Sequence, residues 1–244
     1  MFSLRLKYDS CYADFLIERF IDCFKNIIIG LLKYNQLSEI ELIRNDDLAI
    51  LNKKNETSRG LEYEDFIYAF MDKVNKYPNR KALEYKGHSY TYAELNCITD
   101  YLSNEISSFD ITCQDTVLAN IQHSHYNIIA YLAFLKCNVK YVSVDSQIPN
   151  KRVNYICKIT NTKLIVCTDD TIENIKGLTY YRSNKTSLVC LNDIYIKKAL
   201  NNSKSFTLPH YKGSDITCIV FTSGTTGEPK GVCATRLGLL NLCS

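Results

Sequence analysis

Three observations predict an α/β fold for this chain. From Leu61 onward, short strand-like apolar runs alternate with segments of helical period. Hydrophobic residues make up 46% and charged residues 23%, the balance of an ordinary globular protein. The last buried-type run, Asp215 to Phe221, leads directly into a loop rich in glycine and hydroxyl side chains, with helix-compatible residues Ala234 to Leu242 beyond it. A sheet with one such loop at a strand end is the architecture these features share.

The elements follow in order. Phe2, Leu4, Leu6 and Tyr8 alternate as in a strand. Leu16, Phe20, Phe24, Ile27, Ile28 and Leu31 then recur at helical spacing, which predicts an amphipathic helix packed on a protein core. Residues 36–60 read as a polar connection, with Asn45-Asp46-Asp47 and Asn52-Lys53-Lys54-Asn55 in it. Phe66, Ile67, Phe70 and Val74 make one helical face. Ala82 to Lys86 and Ser89 to Tyr92 predict a hairpin around Gly87-His88. Ala93–Ile106 and Asn127–Lys136 are expected to be helical. Thr116–Ile121, Val139–Val144 and Leu164–Cys167 are expected to be extended. Pro149 opens a helix at its first turn.

Composition excludes several classes. A net charge of +3 with scattered Lys and Arg gives no nucleic-acid face. The longest apolar run, Asn26 to Leu32, is too short to span a bilayer, and the N-terminus lacks a signal-peptide pattern. The eleven cysteines are odd in number and contain no Cys-x-x-Cys, which argues against a zinc site or a disulfide scaffold and for small buried hydrophobes in a reducing cytosol. His123 and His125 form the nearest approach to a metal pair, but no third ligand accompanies them in sequence, so no metal ligand is expected.

The loop carries chemistry. Phe221 to Val232 reads FTSGTTGEPKGV. Thr222, Ser223, Thr225 and Thr226 supply hydroxyls, Gly224, Gly227 and Gly231 allow close backbone approach, and Lys230 adds positive charge. Such a combination suits phosphate oxygens. It is not a Walker loop, because Pro229 precedes Lys230 and Gly231 follows it.

The string resembles the phosphate-loop signature of adenylate-forming enzymes, which include the adenylation domains of nonribosomal peptide synthetases, acyl-CoA synthetases and luciferases. Tyr90-Thr91-Tyr92-Ala93-Glu94-Leu95-Asn96 resembles an early adenylation-domain motif whose role is expected to be structural. Leu135 to Asp145 resembles a second motif, Leu-Lys-Ala-Gly-Gly-Ala-Tyr-Val-Pro-Ile-Asp, with Asn138 and Val139 in place of the glycines and Ser143 in place of the proline. Pro149-Asn150-Lys151-Arg152-Val153-Asn154-Tyr155 resembles a Pro-x-x-Arg-x-x-Tyr segment of peptide synthetases, which favours amino-acid activation over fatty-acyl ligation. After the loop, Arg236 stands where the family has His. A guanidinium there is a phosphate or carboxylate partner, bulkier than imidazole and permanently charged.

The resemblance implies a division into a condensation-domain tail (1–35), a linker (36–60) and the N-terminal part of an AMP-binding adenylation domain (61–244). The fold implied is a partial N-terminal subdomain of the acyl-CoA synthetase/luciferase-like type. Thr222, Ser223, Gly224, Thr225, Thr226 and Gly227 would contact the β- and γ-phosphates of ATP, with Lys230 as charge partner or loop anchor. Mg²⁺ would offset phosphate charge, and phosphopantetheine on a carrier domain would receive the aminoacyl group. No general base is nominated, because a substrate carboxylate is already ionised near neutral pH. The implied partners are the carrier and condensation domains of a synthetase module and an amino-acid substrate, in the cytoplasm, without nucleic acid or membrane.

The family's aromatic-Gly-Pro-Thr-Glu loop, ribose-binding Asp, hinge and catalytic Lys of the small subdomain do not occur in the 244 residues, nor does the condensation motif His-His-x-x-x-Asp-Gly. The expectation is therefore a synthetase fragment inactive alone. A piece of an acyl-CoA-synthetase-type ligase, or a non-enzymatic relic or complementing subunit, is the alternative.

Overall fold

The computed structural model describes residues 5–9, 11–43, 45–202, 204–222 and 229–243. Two compact units emerge, Met1–Gly60 and Leu61–Ser244.

The first unit is helical. Helix α1 (Asp14–Lys33) is followed by a 3₁₀ turn (Leu37–Glu39) and helix α2 (Asn45–Asn55). Gly30 is the one buried residue of α1, and a Cβ there would lie 2.7 Å from the Ile40 side chain. Three sequence expectations are corrected here. Residues 5–9 form no strand, while Phe2 and Leu4 lie outside the described residues. The connection 36–60 contains a helix, because Asp46 and Asp47 in the first turn and Lys53 and Lys54 in the last complement its dipole. The apolar face of α1 is not packed away as expected: Leu16, Phe20, Phe24, Ile28 and Leu31 are all exposed.

The second unit begins with α3 (Phe66–Lys76), whose N-cap Asp65 accepts the Ile67 amide at 2.8 Å. Strands β1 (Lys81–Tyr85) and β2 (His88–Thr91) pair antiparallel, Tyr85 opposite His88. Lys86 (φ 45°) and Gly87 (φ 87°) both take positive φ, the requirement of a two-residue primed hairpin turn. The turn is thus Lys86-Gly87 rather than Gly87-His88, and His88 belongs to the strand. Helix α4 (Tyr92–Ser107) starts on a capping box. The Glu94 amide donates to Thr91 Oγ1 (3.2 Å), and the Thr91 amide donates to Glu94 Oε2 (2.8 Å). The aromatic-Thr-Tyr-x-Glu motif is therefore a strand end welded to a helix start.

A six-stranded sheet forms the body. Its strands are β3 (Thr116–Asn120), β4 (Lys140–Val144), β5 (Thr162–Thr168), β6 (Ser187–Leu191), β7 (Ile216–Thr222) and β8 (Lys230–Thr235), in spatial order β6-β5-β3-β4-β7-β8. All neighbours pair parallel except β7 and β8. Between them run α5 (His125–Cys137), α6 (Asn150–Thr160), α7 (Ile172–Lys176), α8 (Thr179–Ser183) and α9 (Asp193–Asn201), and α10 (Arg236–Cys243) follows β8. Pro149 is the N-cap of α6, one residue before its first turn.

Period-two alternation sorts the strand residues into two cores. Val117, Ala119, Leu164, Val166, Val189 and Leu191 face the layer of α3, α4, α5 and α9. Leu118, Val142, Val144, Ile165 and Cys167 face the layer of α6 and α7. The chain leaves β3 toward the first layer and β4 toward the second, so the sheet has a topological switch point between these two strands. In open parallel sheets, ligands bind in the crevice outside the carboxyl ends of strands at such a point.

Candidate functional site

Strand β7 delivers the loop to that carboxyl edge. Thr222 is the last residue of β7 and Lys230 the first of β8, and the two pair across the hairpin. Thr222 Oγ1 donates to the Lys230 carbonyl at 3.4 Å. The order is thus strand, loop, antiparallel strand, helix. Ala234, expected at the start of a helix, lies in β8. Ser223, Gly224, Thr225, Thr226 and Gly227 lie outside the described residues.

The glycine after Lys230 has a steric cause. Gly231 sits opposite Phe221, and a Cβ on it would approach Ile219 Cγ2 at 2.9 Å and the Phe221 ring at 3.2 Å. Beside the hairpin opens a crevice of about 320 Å³ lined by His123, Asn127, Tyr131, Tyr141, Ser143 and Val220, among others. Its walls come from β4, β7, the first turns of α5 and the loop before them, next to the switch point.

Arg236 does not reach toward this edge. Its side chain is buried, with Nε 2.6 Å from Asp65 Oδ2 and Nη2 2.7 Å from Asp65 Oδ1. Nη1 donates to the Leu135 carbonyl (3.1 Å) and to Asn138 Oδ1 (3.0 Å), and the guanidinium lies 3.8 Å from the centroid of the Tyr211 ring. Of the two roles open to an arginine at this position, the structure takes that of carboxylate partner. Asn138 closes α5 in the left-handed region (φ 57°), the geometry asparagine tolerates best after glycine. Its amide also donates to Asp215 at 2.9 Å. Burial alone would raise the Asp215 carboxyl. The hydrogen bonds from Asn138 and the Lys212 amide, with the charge of Arg236, outweigh it and hold the group below the usual range.

Lys136, matched in the second motif, is likewise internal. Its Nζ is fully buried and donates to Asp100 Oδ1 (2.6 Å), Asn96 Oδ1 (2.7 Å) and Thr99 Oγ1 (2.8 Å). Burial pushes its ammonium below the ordinary lysine range against the attraction of Asp100. Tyr211 joins the two networks by donating its hydroxyl to the Lys136 carbonyl at 3.0 Å. Sequence reasoning missed Asp65 and Tyr211, since a cap aspartate and a lone tyrosine carry no signal of a distant arginine.

Comparison with known proteins adds the family. The profile of AMP-binding enzymes matches residues 70–244. A mycosubtilin synthase polypeptide of Bacillus subtilis is 24% identical over 238 residues, covering 96% of this chain and 9% of that protein. Tyrocidine synthase 1 of Brevibacillus parabrevis is 27% identical over 176 residues, covering 72% of this chain and 15% of that one. This chain thus spans a small share of the relatives it matches. Among solved structures, the nonribosomal peptide synthetase FmoA3 in its AMPPNP-bound form has the same fold with a TM-score of 0.71 at 17% identity, over 95% of this chain and 24% of that one. VinN has it with a TM-score of 0.66 at 14% identity, over 76% and 49%. With a glycine- and threonine-rich segment joining β7 to β8, the chain belongs to the AMP-binding enzyme family and is similar to nonribosomal peptide synthetases.

Proposed function

We propose that residues 61–244 handle ATP in a ligase that activates an amino acid. A substrate carboxylate attacks the α-phosphate; a carboxyl-oxygen to phosphorus bond forms, the α–β phosphoanhydride breaks, and pyrophosphate leaves. A phosphopantetheine thiol on a partner carrier domain would then take the aminoacyl group as a thioester, with AMP leaving and the thiol proton passing to solvent. Mg²⁺, when bound, offsets phosphate charge.

This chain's own share is positioning and electrostatics. Thr222, with Ser223, Gly224, Thr225, Thr226 and Gly227, offers hydroxyl and backbone N–H donors to the β- and γ-phosphates, and Lys230 brings the ammonium. The donor set fits an anion: hydroxyls, amides and a cation, with Thr222 and Lys230 held as a cross-strand pair. That pair, closing the loop beside the switch-point crevice, is the observation that carries the reading. Residues 1–35 as the tail of a condensation domain, 36–60 as a linker, a cytoplasmic location and carrier and condensation domains as partners belong to the same proposal. Among the described residues no helix is long and apolar enough to cross a membrane.

Amino-acid activation is favoured over fatty-acyl ligation by the sequence relatives. Mycosubtilin synthase and tyrocidine synthase 1, which match 96% and 72% of the chain, are peptide synthases. The test is ATP–pyrophosphate exchange by the polypeptide that carries these residues, across the common amino acids. Exchange with one amino acid, cut about 10²-fold or more by Thr222→Ala or Lys230→Ala, is the expected result. Exchange untouched by both substitutions, or driven by fatty acids instead, would sink the proposal.

A further inference from the structure

His125 is 4% exposed, yet neither Nδ1 nor Nε2 has a hydrogen-bond partner. A neutral imidazole carries one donor and one acceptor, and leaving both unmet in a buried position is a cost that packing does not return. The ring is held firmly all the same. Its centroid lies 4.3 Å from that of His88 in a near-parallel stack (21°) and 3.9 Å from that of Tyr126.

The unmet nitrogens do not face apolar surroundings alone. One ligand atom each from His88, His125 and Asp193 lies within 4.8 Å of the other two. Three separate elements of one unit bring them together: strand β2, the first turn of α5 and the first turn of α9. The carboxylate is oriented in addition, since Tyr126 Oη donates to Asp193 Oδ1 at 2.9 Å. An outer hydrogen bond of that kind is what fixes metal-ligating carboxylates.

We propose that His88, His125 and Asp193 bind one divalent transition-metal ion, with Zn²⁺ the best match to two imidazole nitrogens and one carboxylate oxygen. Metal–ligand bonds of about 2.0–2.1 Å place tetrahedral ligand atoms roughly 3.3 Å apart, inside the 4.8 Å within which these atoms lie, so the group draws together on binding. An imidazole nitrogen binds a metal in the plane of its ring, so His88 must turn out of its stack on His125 and the exposed Asp193 carboxylate must move toward both. The sequence counted only His123 beside His125. In the fold, the His123 carbonyl instead accepts the Tyr85 hydroxyl, and the second and third ligands come from 37 residues before and 68 residues after His125.

The full chain, stripped with EDTA and kept reduced, is titrated with Zn²⁺ against a chromophoric chelator and separately with Co²⁺. The expected result is one saturable equivalent, a higher melting temperature with Zn²⁺, and at least a tenfold loss of affinity in both His88→Ala and Asp193→Asn. These positions are not fully buried, so two independent variants stand in for the core position His125. Bound Co²⁺ should show ligand-field bands without the near-ultraviolet thiolate charge-transfer band, which separates this site from the eleven cysteines. No saturable equivalent, unchanged affinity in both variants, or a thiolate band would overturn the proposal.

Discussion

Arg236 Nη1 donates to Asn138 Oδ1 at 3.0 Å, and so joins two positions at which this chain departs from the motifs of its family. The asparagine at the end of α5 accepts from the arginine at the start of α10, so the two side chains share one hydrogen bond. Asp65 supplies the countercharge. Together they tie α3, α5 and α10 into one buried polar knot.

Removing one partner from that knot exposes the cost of the other. We predict that Arg236→Met destabilises the chain by about 3–5 kcal/mol in urea denaturation, because the Asp65 carboxylate is left buried and unpaired. Adding Asp65→Asn, which keeps the cap on Ile67, should recover most of the loss. Arg236→His, which restores the family residue, should also destabilise, since imidazole cannot pair both carboxylate oxygens. A single variant as stable as the parent would contradict this account.

Asn138 is constrained by both backbone and side chain. Asn138→Gly keeps the left-handed conformation but drops the bonds to Arg236 and Asp215, a loss of about 1–3 kcal/mol. Asn138→Ala should cost more, by about 1–2 kcal/mol for the left-handed backbone. Equal stabilities for the two variants would show that backbone geometry is not limiting here.

The cysteines divide by exposure. Cys11, Cys113, Cys233 and Cys243 are exposed, while Cys157 and Cys167 are buried. With a thiol-specific chromogenic reagent at neutral pH, the four exposed groups should react quickly and the two buried ones only on unfolding. Fast labelling of Cys157 or Cys167, located by mass spectrometry, would refute the packing of β5 against α6.

Alkaline pH should loosen the same core. Burial pushes the Cys137 thiol up to about 12 and that of Cys157 up to about 11, and raises the Tyr211 phenol above its ordinary value. A raised folded-state pKa favours the protonated form in the fold. The contribution of the two thiols is therefore complete below about pH 9, their ordinary value, and declines as pH climbs toward 11 and 12. Urea midpoints should stay level from neutral pH to about 9 and then fall, with a shallower fall in Cys157→Ala. A level profile throughout that range would rule the thiols out.

Much of this architecture was legible in sequence. The buried runs of β3 and β5 and the periodic face of α3 announce themselves, because the side-chain pattern alone distinguishes them. Helix α2 was hidden by its polarity, and β8 by its brevity: a short apolar run fits strand or helix, and only pairing with β7 decides it. At the candidate site, the residue types of Thr222 and Lys230 are plain in the sequence, but their cross-strand pairing is not. The partner of Arg236 could not, since Asp65 lies 171 positions away and is brought to it by the fold. The cluster of His88, His125 and Asp193 was invisible for the same reason.

The Thr222–Lys230 pair has a consequence for how freely the loop can change. Seven residues, 223–229, are closed off by that one cross-strand pairing. Closure entropy grows only with the logarithm of loop length, so even doubling the loop costs about 0.6 kcal/mol. Closure entropy alone therefore sets only a weak preference for the length of the chain between Thr222 and Lys230. Between those two strand ends, closure by itself would accept a segment much longer or shorter than SGTTGEP at nearly the same cost.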